Sequence, residues 1–156
     1  MKMFILSRKQ IERFSKNMFP PNTAVISISD YDLDFAELAD KPEYLLQIAF
    51  DDVDNDIFID VLGRMPANAD ERKQVEEKYH IFTDSLAKEI ADFYKSVADK
   101  AELLICQCEH GQSRSAAVAA AITEYRTKRG IDIFANDNYY PNKMVFRKVL
   151  EQLKKD

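Results

Sequence analysis

The sequence has no tryptophan, only three glycines and only two cysteines among its 156 residues. The cysteines, Cys106 and Cys108, are too close together on one predicted strand to form a disulfide framework. The two histidines, His80 and His110, have no cysteine or histidine at the spacing of a metal site, so we expect no metal. Free thiols suit a reducing compartment, and we expect a cytoplasmic protein.

Basic residues are also scarce. Lys and Arg together number 22 against 27 Asp and Glu, which makes the formal net charge −5. Nucleic-acid binding favours a basic face, so this charge argues against a nucleic-acid partner and mildly against polyanionic lipid headgroups. The N-terminal apolar run, residues 3–6, is too short for a signal peptide or a membrane span, and we expect no membrane partner. The composition gives no indication of an oligomeric state.

Apolar strand patterns alternate with helical patterns along the chain. Strands are predicted at residues 3–6, 23–29, 44–50 and 101–108, and helix starts at Ser7, Asn68, Thr83 or Asp84, Ser113 and Asn142. The helix from Ser113 is expected to end at Gly130. We expect one α/β domain over residues 1–156, with a mostly parallel sheet of about four to five strands flanked by helices. Residues 53–82 are predicted to form either a lid or a passive insertion.

The strongest functional pattern lies in residues 103–115. An apolar run ends at Cys108, Arg114 follows after five residues, and an alanine-rich helix begins. A helix N-terminus and a nearby cation both favour a cysteine thiolate over the thiol. Gly111, in the middle of the turn, allows consecutive N–H groups to point inward and hold an anion. Arg114 has a planar fork that grips two phosphoryl oxygens, and Ser115 lies close enough to donate to the sulfur.

This Cys-x-x-Gly-x-Ser-Arg-Ser segment resembles the phosphate loop of protein tyrosine phosphatases, especially the dual-specificity branch and a bacterial and phage subgroup. The resemblance implies that Cys108 is the nucleophile, that Arg114 binds the phosphate and the transition state, and that Ser115 assists release of the thiolate. It implies no metal and no organic cofactor. The residues of the implied phosphate-binding loop are Glu109, His110, Gly111, Gln112, Ser113 and Arg114.

Two residues of the segment modify this interpretation. Gln107 stands where the family usually carries a histidine that orients the loop, and glutamine can hydrogen-bond but carries no charge. We therefore expect a less acidic Cys108, with lower activity or a higher pH optimum. Glu109 adds a negative charge that is expected to repel highly phosphorylated substrates.

A phosphatase of this kind also needs a general acid. The resemblance places it on the loop after the third strand, which favours Asp52, with Asp51 as the alternative acid. Asp54 and Asp56 also stay open, because the path of that loop is not readable from the sequence. Asp84 is closer to Cys108 along the chain, but a role as a helix cap accounts for it.

Three functions compete. The first is hydrolysis of phosphate monoesters, on phosphotyrosine or dual-specificity protein substrates or on small phosphoesters, through a phosphocysteine intermediate. The second is a phosphoprotein-binding module with weak or no turnover, which Gln107 and the unassigned acid favour. The third, sulfur or arsenate chemistry, ranks last, because this loop follows three strands and continues as Gly-x-Ser-Arg-Ser.

Overall fold

Four parallel strands form the sheet of this protein, and the computed structural model describes residues 1–155. The strands are β1 (Lys2–Leu6), β2 (Thr23–Ser29), β3 (Tyr44–Ala49) and β4 (Leu103–Gln107). Their order across the sheet is β1-β4-β2-β3. Every residue of β2 and β4 is buried, as expected of parallel strands with helices on both faces. The predicted α/β class and parallel sheet are confirmed.

Seven helices surround the sheet in the described part of the chain. They are α1 (Arg8–Ser15), α2 (Asp56–Leu62), α3 (Ala69–Lys78), α4 (Asp84–Val97), α5 (Arg114–Thr127), α6 (Ile131–Phe134) and α7 (Lys143–Leu153). The side chains of Ser7, Asn68, Thr83 and Asn142 accept the predicted capping hydrogen bonds. Thr83, not Asp84, caps α4. Within residues 1–155, the helices all fall short of the length and apolar character that a membrane span needs.

The end of α5 differs from the prediction. The helix stops at Thr127, and Lys128 takes the left-handed conformation with φ 60° and donates its N–H to Glu124 O at 2.9 Å. Gly130 therefore does not end α5 and instead precedes the unpredicted helix α6. A Cβ at Gly130 would lie 2.7 Å from Ala120 O, so glycine is needed there for close packing against α5.

The segment 53–82 contains α2 and α3 and is folded around its own apolar cluster. Phe58 of α2, Val75 of α3 and Ile81 pack with Met144 of α7. This contact places the two helices beside the start of α7. Both the lid and the passive insertion stay predictions.

Candidate active site

The cysteine loop lies at the carboxyl end of β4, between the ends of β1 and β2. In open parallel sheets this edge is the usual place for ligands. Cys108 is 2% exposed, and its Sγ lies 3.1 Å from Ser115 Oγ in the first turn of α5. The N-terminal end of α5, which carries a partial positive charge, therefore faces the loop.

The loop backbone is shaped by Gly111 and supported by the turn between β1 and α1. Gly111 has φ +69°, and a Cβ there would lie 2.7 Å from both Leu6 C and Ser7 N. The N–H of Cys108 donates to Leu6 O at 3.2 Å. Within residues 1–155, the N–H groups of residues 109–113 donate to no backbone carbonyl. These amides are therefore available to an anion.

Further along, the loop is held by the segment before α7. Tyr140 N–H donates to Gln112 O at 2.8 Å, and Asn142 N–H donates to Ser113 O at 3.2 Å. The side chains of His110 and Gln112 are exposed. Of the predicted phosphate-binding residues, these two therefore have only their backbone N–H groups to offer an anion in the loop.

Arg8, which the sequence analysis did not single out, neutralises the acidic residue of the loop. Its backbone N–H donates to Glu109 O at 3.1 Å, and its Nε donates to Glu109 Oε2 at 2.7 Å. The Glu109 carboxylate is thus engaged by α1. No sequence motif marks Arg8, because its role depends on β1 and β4 being neighbours in the sheet.

Arg114 is 4% exposed and is held along one side of its guanidinium group. Its Nη1 donates to Phe50 O at 2.7 Å and lies 2.7 Å from Asp30 Oδ1. Its buried Nε has no protein partner within residues 1–155. Nε and Nη2 form the opposite edge of the group, and this edge is suited to two oxygens of one oxyanion. An unpaired buried donor is costly unless a ligand satisfies it.

Asp30 is a second residue that sequence reasoning missed. It directly follows β2, which pairs with β4, so it reaches the same edge of the sheet as the loop. In the sequence, Asp30 only begins an acidic stretch with no motif. The strand order of the sheet is what marks it as a residue of the site. Its carboxylate anchors Arg114.

The structure brings Asp52, and not Asp51, to the loop. Asp52 Oδ1 accepts hydrogen bonds from Ser113 Oγ and from Asn142 Nδ2, each at 2.9 Å. Asp51 Oδ1 instead accepts from the N–H of Tyr31 at 3.0 Å. Ser113, predicted to bind phosphate, therefore has its hydroxyl committed to Asp52 and its N–H available.

The other carboxylates considered as acids have local roles. Asp54 Oδ1 accepts from the N–H of Asn55 at 2.6 Å, just before α2. Asp56 is the first residue of α2 and Asp84 the first residue of α4. Carboxylates in these first turns favourably face the positive ends of their helices.

Gln107 stands where protein tyrosine phosphatases usually carry a histidine. It is fully buried, and both the oxygen and the nitrogen of its side-chain amide are hydrogen-bonded. Its Oε1 accepts from Ser27 Oγ at 2.5 Å, and its Nε2 donates to Cys108 O at 3.0 Å. The amide thus orients the first peptide group of the loop without adding a charge. The neighbouring Cys106 is also fully buried, and burial raises the pKa of its thiol. Cys106 is therefore a neutral core residue.

Comparison with solved structures identifies the fold. No protein-family model and no curated protein sequence matches this chain. The structure of Tk-PTP in its active form has a TM-score of 0.53 at 12% identity, over 99% of this chain and 92% of that one. The structure of PTPMT1 in complex with PI(5)P also has a TM-score of 0.53 at 12% identity, over 98% of this chain and 90% of that one. The chain therefore has the fold of the protein tyrosine phosphatases.

Proposed function

We propose that this protein is a cysteine-dependent phosphatase that hydrolyses phosphate monoesters on protein substrates. The observation that carries the proposal is that one loop holds a cysteine nucleophile beside two sets of unpaired donors. Cys108 Sγ lies 3.1 Å from Ser115 Oγ, the buried Nε of Arg114 has no protein partner within residues 1–155, and the N–H groups of residues 109–113 donate to no backbone carbonyl there. A phosphoryl group would satisfy these donors together.

In the first step, the Cys108 thiolate attacks phosphorus. The S–P bond forms while the bond from phosphorus to the ester oxygen breaks, and the electron pair of that bond goes to the leaving oxygen. Asp52, protonated on its carboxyl group, donates its proton to that oxygen. The charge on the three phosphoryl oxygens is held by the loop amides and by the free edge of Arg114.

In the second step, water hydrolyses the phosphocysteine. Asp52, now a carboxylate, accepts a proton from the water as its oxygen bonds to phosphorus. The S–P bond breaks, and the electron pair returns to sulfur as thiolate. Ser115 Oγ, at 3.1 Å, donates a hydrogen bond that stabilises this thiolate.

The side chains of the loop favour a phosphorylated protein over a phosphoinositide. Although PTPMT1 has been seen in complex with PI(5)P, this loop carries no lysine and no arginine other than Arg114. A headgroup with several phosphates would need further cations nearby. The buried neutral thiol at Cys106 and the buried Cys108 fit a reducing cytoplasm.

The test compares wild type with Cys108→Ser and Asp52→Asn on aryl phosphates whose leaving groups differ in pKa. We expect Cys108→Ser to abolish turnover while inorganic phosphate still binds, because serine is not activated by these surroundings. Asp52→Asn should lose about 100-fold or more on poor leaving groups and little on good ones, because a good leaving group needs no proton.

Two results would contradict the proposal. Undiminished turnover in Cys108→Ser would exclude the phosphocysteine route. Phosphate binding by wild type without turnover of any aryl phosphate would instead favour the phosphoprotein-binding module. Asp51→Asn is the matched control, because its carboxylate bonds to the N–H of Tyr31 and not to the loop.

A further inference from the structure

Asn142 uses all of its polar groups, and three of its five hydrogen bonds go to the site. Its carbonyl oxygen accepts from the N–H of Phe146 at 3.0 Å, within α7. Its Nδ2 donates to Asp52 Oδ1 and to Val53 O, both at 2.9 Å. Its Oδ1 accepts from the N–H of Val145 at 3.0 Å, and its own N–H donates to Ser113 O at 3.2 Å. The residue is 6% exposed. One buried residue therefore joins the start of α7, the phosphate loop and the turn that carries Asp52: its backbone N–H contacts the loop, and its side chain contacts the turn and caps the helix.

We infer that Asn142 is a positioning residue that sets the orientation of the Asp52 carboxyl group. Asp52 itself is exposed on a loop, where a free side chain would sample several rotamers. Asn142 Nδ2 and Ser113 Oγ both donate to Oδ1, so Oδ2 is the oxygen that carries the transferred proton. This inference rests on the proposed role of Asp52 as the general acid.

The second bond of the same amide strengthens the inference. By donating also to Val53 O, Asn142 fixes the backbone that follows Asp52 and not only its side chain. Because α7 packs against both α4 and α5, the anchor itself is part of the helical layer and not of a free loop. A rigid support of this kind is what a catalytic side chain on a loop requires.

The capping role of Asn142 can be separated from its positioning role. Serine and asparagine are nearly equivalent helix N-caps, so Asn142→Ser retains an acceptor for the N–H of Val145. Serine has no amide donor and is too short to reach Asp52. Asn142→Asp also retains the cap, but it places a carboxylate where the donor stood. The matched control is Asn68→Ser, at the exposed N-cap of α3, whose side chain accepts from the N–H of Glu71 at 2.9 Å.

The experiment measures kcat and KM for the same aryl phosphates, together with the affinity for inorganic phosphate. We expect Asn142→Ser to lose about tenfold or more in kcat on poor leaving groups and less than about threefold on good ones. KM and phosphate affinity should stay within about threefold, since the loop amides and Arg114 are untouched. Asn142→Asp should show the same pattern, and Asn68→Ser should match wild type.

A merely structural role would lower kcat equally for all leaving groups or weaken phosphate binding in parallel, and either result overturns the inference. The double variant Asp52→Asn with Asn142→Ser should lose no more than Asp52→Asn alone, because Asn142 acts through Asp52. An additive further loss also overturns it. If Asp52→Asn alone shows no leaving-group dependence, the proposed acid is wrong. If Asp52→Asn shows that dependence and Asn142→Ser does not, only the positioning role is wrong.

Discussion

Replacing Gly111 by alanine tests whether the phosphate loop depends on its contact with the β1–α1 turn. Gly63 offers a matched control, because its φ of +73° is nearly that of Gly111, +69°. A Cβ at Gly63 meets nothing within 4 Å, whereas a Cβ at Gly111 lies 2.7 Å from Leu6 C and Ser7 N. An alanine at either position therefore has the same left-handed backbone strain, but only the alanine at position 111 has a Cβ that overlaps other atoms.

The expected magnitudes follow from these two terms. Placing an alanine in the left-handed region costs roughly 1–2 kcal/mol, and this applies to both variants. The overlap at Gly111 is with backbone atoms, which cannot rotate away, so either the loop or the turn must move. Overpacking of this kind costs about 1–3 kcal/mol. We expect Gly63→Ala to lose roughly 1–2 kcal/mol of unfolding free energy and Gly111→Ala roughly 2–5 kcal/mol.

Urea unfolding gives the two free energies, and calorimetric titration with inorganic phosphate gives the binding constants. For a chain of this size, each kcal/mol corresponds to about 2–4 °C in Tm, which provides a second measurement. Gly111→Ala should bind phosphate more weakly because its amides no longer converge, and Gly63→Ala should bind it like wild type. Equal losses of stability, or equal phosphate affinities, would refute the proposed dependence of the loop on its contact with Leu6 and Ser7.

Two further substitutions address Arg114 and Lys148. Arg114→Lys should lower kcat about 100-fold or more on all aryl phosphates, because one ammonium group cannot both donate to Phe50 O and present two donors to the phosphoryl oxygens. A loss of kcat confined to substrates with poor leaving groups would contradict this role. Burial lowers the pKa of Lys148 from its ordinary value of 10.5. At pH values just below 10.5, the unfolded chain therefore binds more protons than the folded chain. The free energy of unfolding consequently rises with pH in that range. Lys148→Met should flatten this rise in urea unfolding over the pH range just below the ordinary lysine pKa, and an unchanged slope would contradict the linkage.

The elements that were predictable are those whose signal is local. Ser7, the predicted start of α1, forms a capping box with Gln10, and the buried strand before Cys108 is the run of apolar residues expected of a central parallel strand. The end of α5 was mispredicted because glycine has two uses. Gly130 allows close packing against Ala120, while Lys128 takes the left-handed position that a glycine usually fills.

The partners of the site residues were not predictable, because each comes from a distant part of the chain. Arg8 reaches Glu109, and Asp30 reaches Arg114, only because β1 and β2 are the two neighbours of β4. No local pattern encodes strand order. Asn142 was predicted correctly as a helix cap, but its Nδ2 bond to Asp52 spans 90 positions of sequence and has no periodic signature.

The two ion pairs around the loop, Arg8–Glu109 and Asp30–Arg114, bear on how the site would discriminate against substrates with several phosphates. Glu109 was expected to repel highly phosphorylated substrates, yet its carboxylate lies 2.7 Å from Arg8 Nε, which largely cancels its charge. The charge of Arg114 is likewise shared with Asp30. Under the proposed function, one phosphoryl group would be held mainly by directional donors, namely the loop amides, the Nε of Arg114 and the start of α5. A second phosphate would find no further cation in the loop, so selection against it follows from missing cations and not from repulsion by Glu109.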